Sequence, residues 1–162
     1  MVDQEQRGLW VIWASFLAAY VLAVVTMPEW LVWVRPEWLA LVLFYWTIAL
    51  PHKVGLLTAL AVGIGLDVIE GAVLGQNAFS LMMLSILSLM LYQRVRMFNV
   101  LQQAGTVFIL VGINQLICQW ILNMQGAGTQ SLLFLLPAFS SALLWPVVLQ
   151  CLRSLRRHYR VA

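Results

Sequence analysis

The sequence predicts an all-α integral membrane protein, a bundle of about six transmembrane helices. Three observations carry the prediction. Apolar residues make up 63% of the 162 residues, charged residues make up only 9%, and the apolar residues fall in long runs with brief connections. So few charges cannot cover a water-facing surface around so large an apolar fraction. A helix needs about 20 apolar residues to cross a hydrocarbon core about 30 Å thick, so the chain has room for about six crossings and little else. A single transmembrane domain is expected over 1–162, with 153–162 as a basic cytoplasmic tail.

The first run, 9–26, follows a polar start containing Asp3, Glu5 and Arg7. It is long for a signal peptide's apolar core and lacks a basic leader, so it reads as a retained span. The second, 37–50, is short for a crossing, but Pro36 fits a helix's first turn and no charge interrupts Trp38 to Leu50. Pro51-His52-Lys53 breaks the chain before the third run, 54–74, which carries Asp67 and Glu70. The fourth, 77–92, ends at the basic stretch around Arg94 and Arg96. The fifth, 100–124, is closed by a loop of Gly126, Gly128 and Thr129. The sixth, 132–152, contains Pro137 and Pro146, which should kink it.

Lys and Arg beside spans are retained in the cytoplasm. Six spans with the N-terminus inside leave Arg7, Lys53, Arg94, Arg96, Arg153, Arg156, Arg157 and Arg160 inside and only Arg35 outside. A five-span topology that omits 37–50 merely exchanges Arg7 with Arg35, so charge places the C-terminus in the cytoplasm and leaves the N-terminus open. Arg153, Arg156, Arg157 and Arg160 are expected to rest on anionic lipid, each cation contributing about 1 kcal/mol. Of eight tryptophans, Trp10, Trp30, Trp33, Trp38 and Trp145 fall where runs end, as interfacial anchors do.

Within the third run, Gly55, Ala59, Gly63, Asp67, Gly71 and Gly75 recur every four residues. A four-residue step advances about 400° around a helix, so these positions follow an inclined ridge along which a second backbone can approach closely. Packing inside the bundle is the plain expectation, and contact with another protein the alternative. Asp67 and Glu70, at i and i+3, share one face. Thirteen steps of about 1.5 Å from Val54 put Asp67 roughly 20 Å across the bilayer, where a charge costs up to about 3.5 kcal/mol. Three roles stay open for it: a structural hydrogen bond, partner contact, and proton or solute handling. A structural role predicts that Asn is tolerated at position 67 and Leu is not.

In the fifth run Gln115, Gln119 and Asn123 recur every four residues with Asn114 alongside, a flank of amides seeking partners on other helices. A polar ligand cavity is the alternative. No catalytic set is expected. Asp3 and Asp67 are the only aspartates, His52 and His158 flank cytoplasmic ends, and there is no GxSxG motif or phosphate-binding glycine loop. Cys118 and Cys151 lie far apart in apolar runs, so neither a disulfide nor a metal site is expected, and no cofactor. The formal charge of +3 is spread over short flanks and does not form a nucleic-acid-binding face.

The order of these landmarks resembles the rod shape-determining protein MreD family, in its Gram-negative form. The likeness spans nearly the whole chain: Gly8-Leu-Trp-Val-Ile-Trp13, Arg35-Pro-Glu-Trp38, Tyr45-Trp46, Ala49-Leu-Pro-His52, Gly63-Ile-Gly-Leu-Asp67 with Gly71 and Leu74-Gly75, then Leu144-Trp-Pro146 and the basic tail. The resemblance implies a non-enzymatic component of the cell-elongation complex in the bacterial inner membrane. Its implied partners are MreC directly, and MreB, the RodA transglycosylase and its penicillin-binding partner directly or through MreC. It also implies that Asp67, Gly71 and Gly75 form the motif that matters. The family's bundle looks like the substrate-binding subunits of energy-coupling-factor transporters, which keeps a module for a small solute or lipid-linked precursor as the alternative function.

Overall fold

The computed structural model describes residues 2–26, 28–128, 131–159 and 161, with side chains from residue 8 onward. Arg160 and Thr129, and the side chains of Asp3, Glu5 and Arg7, lie outside the described residues. The described chain is helical, without strands: α1 (Val2–Val24), a one-turn α2 (Glu29–Val32), α3 (Trp38–Ala49), α4 (Leu56–Glu70), α5 (Gln76–Val95), α6 (Val100–Met124), a 3-10 turn (Leu132–Leu135) and α7 (Leu136–His158).

Each predicted apolar run carries one of the six longer helices. Among the described residues, three segments are long and apolar enough to cross a membrane: Gln76–Val95, Val100–Met124 and Leu132–His158. Large apolar side chains such as Leu57, Leu101, Leu143 and Met90 stand exposed on the outside, the arrangement expected where lipid replaces water as solvent.

The centre of the bundle is α3. From Leu39 to Thr47 every residue is buried, and α1, α5, α6 and α7 all pack against it. A helix apolar on every side needs cover on every side, and twelve residues rise only about 18 Å. Two of its polar side chains find partners inside the bundle. The Trp46 indole N–H donates to Ser15 Oγ of α1 at 2.7 Å, Ser15 donates onward to Ile12 O, and the Thr47 hydroxyl donates to Leu43 O.

Three expectations need correction. The third run does not stay helical to residue 74. The helix stops at Glu70 because Gly71 takes the left-handed conformation (φ 65°), the usual helix terminator. The small-residue ridge on α4 is therefore Ala59, Gly63 and Asp67, while Gly71 and Gly75 serve the turn. Pro137 does not kink the sixth helix, since it sits in the first turn of α7, where a missing N–H costs nothing; Pro146 is the interior proline. Trp145 is no interfacial anchor. It is 1% exposed, its ring meets Phe44 edge-on at 5.1 Å, and its N–H donates to Gln103 Oε1 at 3.4 Å. The basic tail is helical for most of its length, as α7 runs on through Arg153, Arg156 and Arg157 to His158.

Candidate functional site

At the end of α5 opposite Arg94 and Arg96, α4 turns into α5 through Gly71 to Gly75. Asp67 organises this turn with both its backbone and its side chain. Its carbonyl accepts the N–H of Ala72 at 3.0 Å, closing the C-terminus of α4. Its carboxylate caps the N-terminus of α5: Oδ2 accepts from Gly75 N at 2.8 Å and Ala78 N at 3.4 Å, and Oδ1 from Asn77 N at 2.8 Å. The residue at the N-cap position is Gly75, with φ 101° and no side chain to cap with. Only glycine adopts that conformation without strain, so the cap has to be supplied from elsewhere, and Asp67 supplies it. A carboxylate at a helix N-terminus is stabilised by the N–H groups and the helix dipole without a cation. The group is completely buried.

Gly63, one turn earlier on the same ridge, lets the two helices meet backbone to backbone. A Cβ there would lie 2.3 Å from Ala78 Cα and 2.7 Å from Ala78 N. Gly63, Asp67 and Gly75 thus converge on the first turn of α5. Gly71 only ends α4, with open space where its Cβ would point.

Polar side chains spread outward from this turn. Glu70, exposed at the end of α4, accepts the Asn77 side-chain amide N–H at 3.1 Å through Oε2. Cys118 of α6 approaches Asn77 Oδ1 at 3.7 Å and Ser80 Oγ at 3.4 Å. Gln115 donates from Nε2 to Glu37 Oε1 at 2.6 Å across 78 residues of sequence, and Glu37 N donates to Ser141 Oγ of α7 at 2.9 Å. A cavity of about 260 Å³ opens here, lined by Arg35, Glu37, Trp38, Glu70 and Gln115 among others. Arg35 Nη2 and Trp38 Nε1 are buried without hydrogen-bond partners.

The predicted amide flank does not act as one strip. Gln115 reaches the α2–α3 connection, Asn114 is buried with an unpaired Oδ1, and Asn123 lies exposed against Gly128 at the helix end. Gln119 is half-buried. Sequence reasoning missed Glu37, Asn77, Ser80 and Cys118. For Asn77, a small polar residue opening a helix two positions after a glycine was an available signal; for Glu37 there was none, since its partners are far away in sequence. Among the described residues, no three His, Cys, Asp or Glu side chains gather as a metal-binding group.

A helical bundle with apolar outer sides, brief connections and the fully buried carboxylate of Asp67 spent on capping a helix defines a membrane-embedded protein of structural type. The chain matches the family described as rod shape-determining protein MreD over residues 4–155, and it belongs to that family. It is 30% identical over 152 residues to the Rod shape-determining protein MreD of Haemophilus influenzae, covering 90% of each chain. No solved structure matches. Membership gives the chain a role in rod-shape determination.

Proposed function

We propose that this chain is a non-enzymatic adaptor of the bacterial cell-elongation complex. It sits in the inner membrane with six crossings and its C-terminus in the cytoplasm, the basic helix end obeying the retention of Lys and Arg on that side. It binds MreC directly and supports MreB, RodA and its penicillin-binding partner, directly or through MreC. The observation that carries the reading is the employment of the α4–α5 turn: Asp67, Gly63 and Gly75 all serve to join two helices. That use of the motif suits a scaffold. Partner contact then falls to the exposed apolar surface around the turn, while the Asp67 carboxylate stays inside and Glu70 is engaged by Asn77.

Depletion is expected to make rods round up, and purification in detergent to recover MreC. A normal rod shape with no MreC recovered would overturn the proposal.

One observation favours a second reading, a binding module for a small solute or lipid-linked precursor. The cavity bordered by Arg35, Glu37, Glu70 and Gln115 combines one Arg with two carboxyl groups. In that reading Asp67 only supports the cavity wall.

A further inference from the structure

The opposite end of the bundle holds a second cavity, about 400 Å³ in volume, where α3, α5, α6 and α7 meet. Four guanidinium groups line it: Arg96 from the end of α5, and Arg153, Arg156 and Arg157 from α7. Among the described residues, no carboxylate lines it. Arg96 is held in place by the carbonyl end of α3, donating from Nε to Ile48 O at 3.0 Å and from Nη2 to Ala49 O at 2.9 Å. Arg156 is anchored through Nε to Val161 O at 3.3 Å. Two of the four cations are thus fixed by backbone atoms, which directs them without neutralising them.

A second observation points to what is missing. Tyr45 of α3 lines the same cavity and is 5% exposed, yet its hydroxyl is buried without a hydrogen-bond partner. Its charged neighbours are Arg156, Arg153 and Arg157, with Arg156 beside the hydroxyl but outside hydrogen-bonding geometry. A buried hydroxyl left unpaired costs free energy, as do cations gathered without an anion. One anionic oxygen reaching into the cavity would relieve both.

We propose that this cavity is a binding site for the phosphate of an anionic membrane lipid, with Tyr45 donating to a phosphate oxygen and the guanidinium groups clamping it. Arg forks fit phosphate in bidentate fashion. The walls favour a lipid over a soluble phosphate: Ile48, Trp145 and Leu149 line the cavity with the arginines, and in the topology proposed above the helix ends around it lie at headgroup level. Basic pockets between membrane helices hold phospholipid headgroups in this way. The site deepens the proposed contact of the basic helix end with anionic lipid and is independent of MreC binding.

The test uses the full chain in detergent, with phosphatidylglycerol or net-neutral phosphatidylcholine added. Native mass spectrometry counts retained lipid, and thermal unfolding reads protection. Phosphatidylglycerol should be retained and raise the midpoint. Tyr45→Phe should lower its affinity about tenfold, as expected for losing one hydrogen bond to a charged group, while leaving the lipid-free midpoint unchanged or higher. Arg153→Gln and Arg157→Gln should also lose affinity, and Arg94→Gln, basic but outside the cavity, should not. Equal losses from Arg94→Gln and Arg153→Gln with a silent Tyr45→Phe would reduce the site to general surface attraction and overturn the pocket. No preference for phosphatidylglycerol would overturn the wider lipid contact as well. Inorganic phosphate or pyrophosphate protecting as well as lipid, or a poly-glutamate peptide displacing lipid and protecting in its place, would overturn the lipid assignment.

Discussion

Asp67 Oδ1 accepts the backbone N–H of Asn77 at 2.8 Å, ten residues further along the chain. That bond makes one carboxylate the cap of a helix that begins with glycine. Because Oδ2 also accepts from Gly75 and Ala78, both oxygens are in use.

This geometry revises the expectation that Asn is tolerated at position 67. An amide offers one oxygen, and its NH₂ would face an N–H that needs an acceptor. Asp67→Asn is expected to destabilise by about 1–2 kcal/mol, the scale of a lost cap, and Asp67→Leu by about 3 kcal/mol or more, since buried N–H groups are left unpaired. Thermal unfolding in detergent ranks the variants. Equal stability of wild type, Asn and Leu would remove the cap from the account.

Gly63→Ala is expected to cost about 2 kcal/mol or more by overpacking, because its new methyl group would meet backbone atoms of Ala78. The obstacle is Cα and N, not a side chain. Ala78→Gly in the same chain should therefore fail to rescue. Rescue to wild-type stability in the same assay would contradict this contact.

The α1–α3 contact provides a third test. Ser15→Ala leaves the Trp46 indole N–H buried without its acceptor, a loss of about 1–3 kcal/mol. Adding Trp46→Phe removes the orphaned donor, so the two substitutions should be less than additive in a double-mutant cycle. Strict additivity would mean that the bond contributes nothing to stability.

Where the sequence was legible, the signal was one-dimensional. Lengths of apolar runs located the six longer helices, and a polar or proline break marked every connection except the α4–α5 turn, where Gly71 to Gly75 is apolar throughout. What it hid depends on neighbours. The run 37–50 is the shortest, and its helix is the most enclosed, because composition alone does not distinguish a residue facing lipid from one facing protein. Trp145 beside Pro146 looked like an interfacial anchor for the same reason. The four-residue repeat pointed to Gly63 and Asp67 but ran past the helix end, since a glycine that packs and a glycine that terminates look alike until φ is known. The pairing of Glu37 with Gln115 was invisible, as no local spacing connects residues on separate helices.

That pairing separates the two functional readings. Glu37→Gln keeps an oxygen for the 2.6 Å bond from Gln115 while removing an ionisable carboxyl from the cavity, and Glu70→Gln likewise preserves an acceptor for Asn77. If the chain acts as an adaptor, the double variant should retain stability, MreC recovery and rod shape, because the hydrogen bonds that position α3, α5 and α6 persist. If the cavity recognises a solute or precursor through its charges, rod shape should fail while MreC recovery and the thermal midpoint stay normal, since one Arg and two carboxyl groups become one Arg alone. Rounded cells with a stable, MreC-bound double variant would therefore displace the adaptor reading, and normal rods would remove the charged cavity as a recognition site.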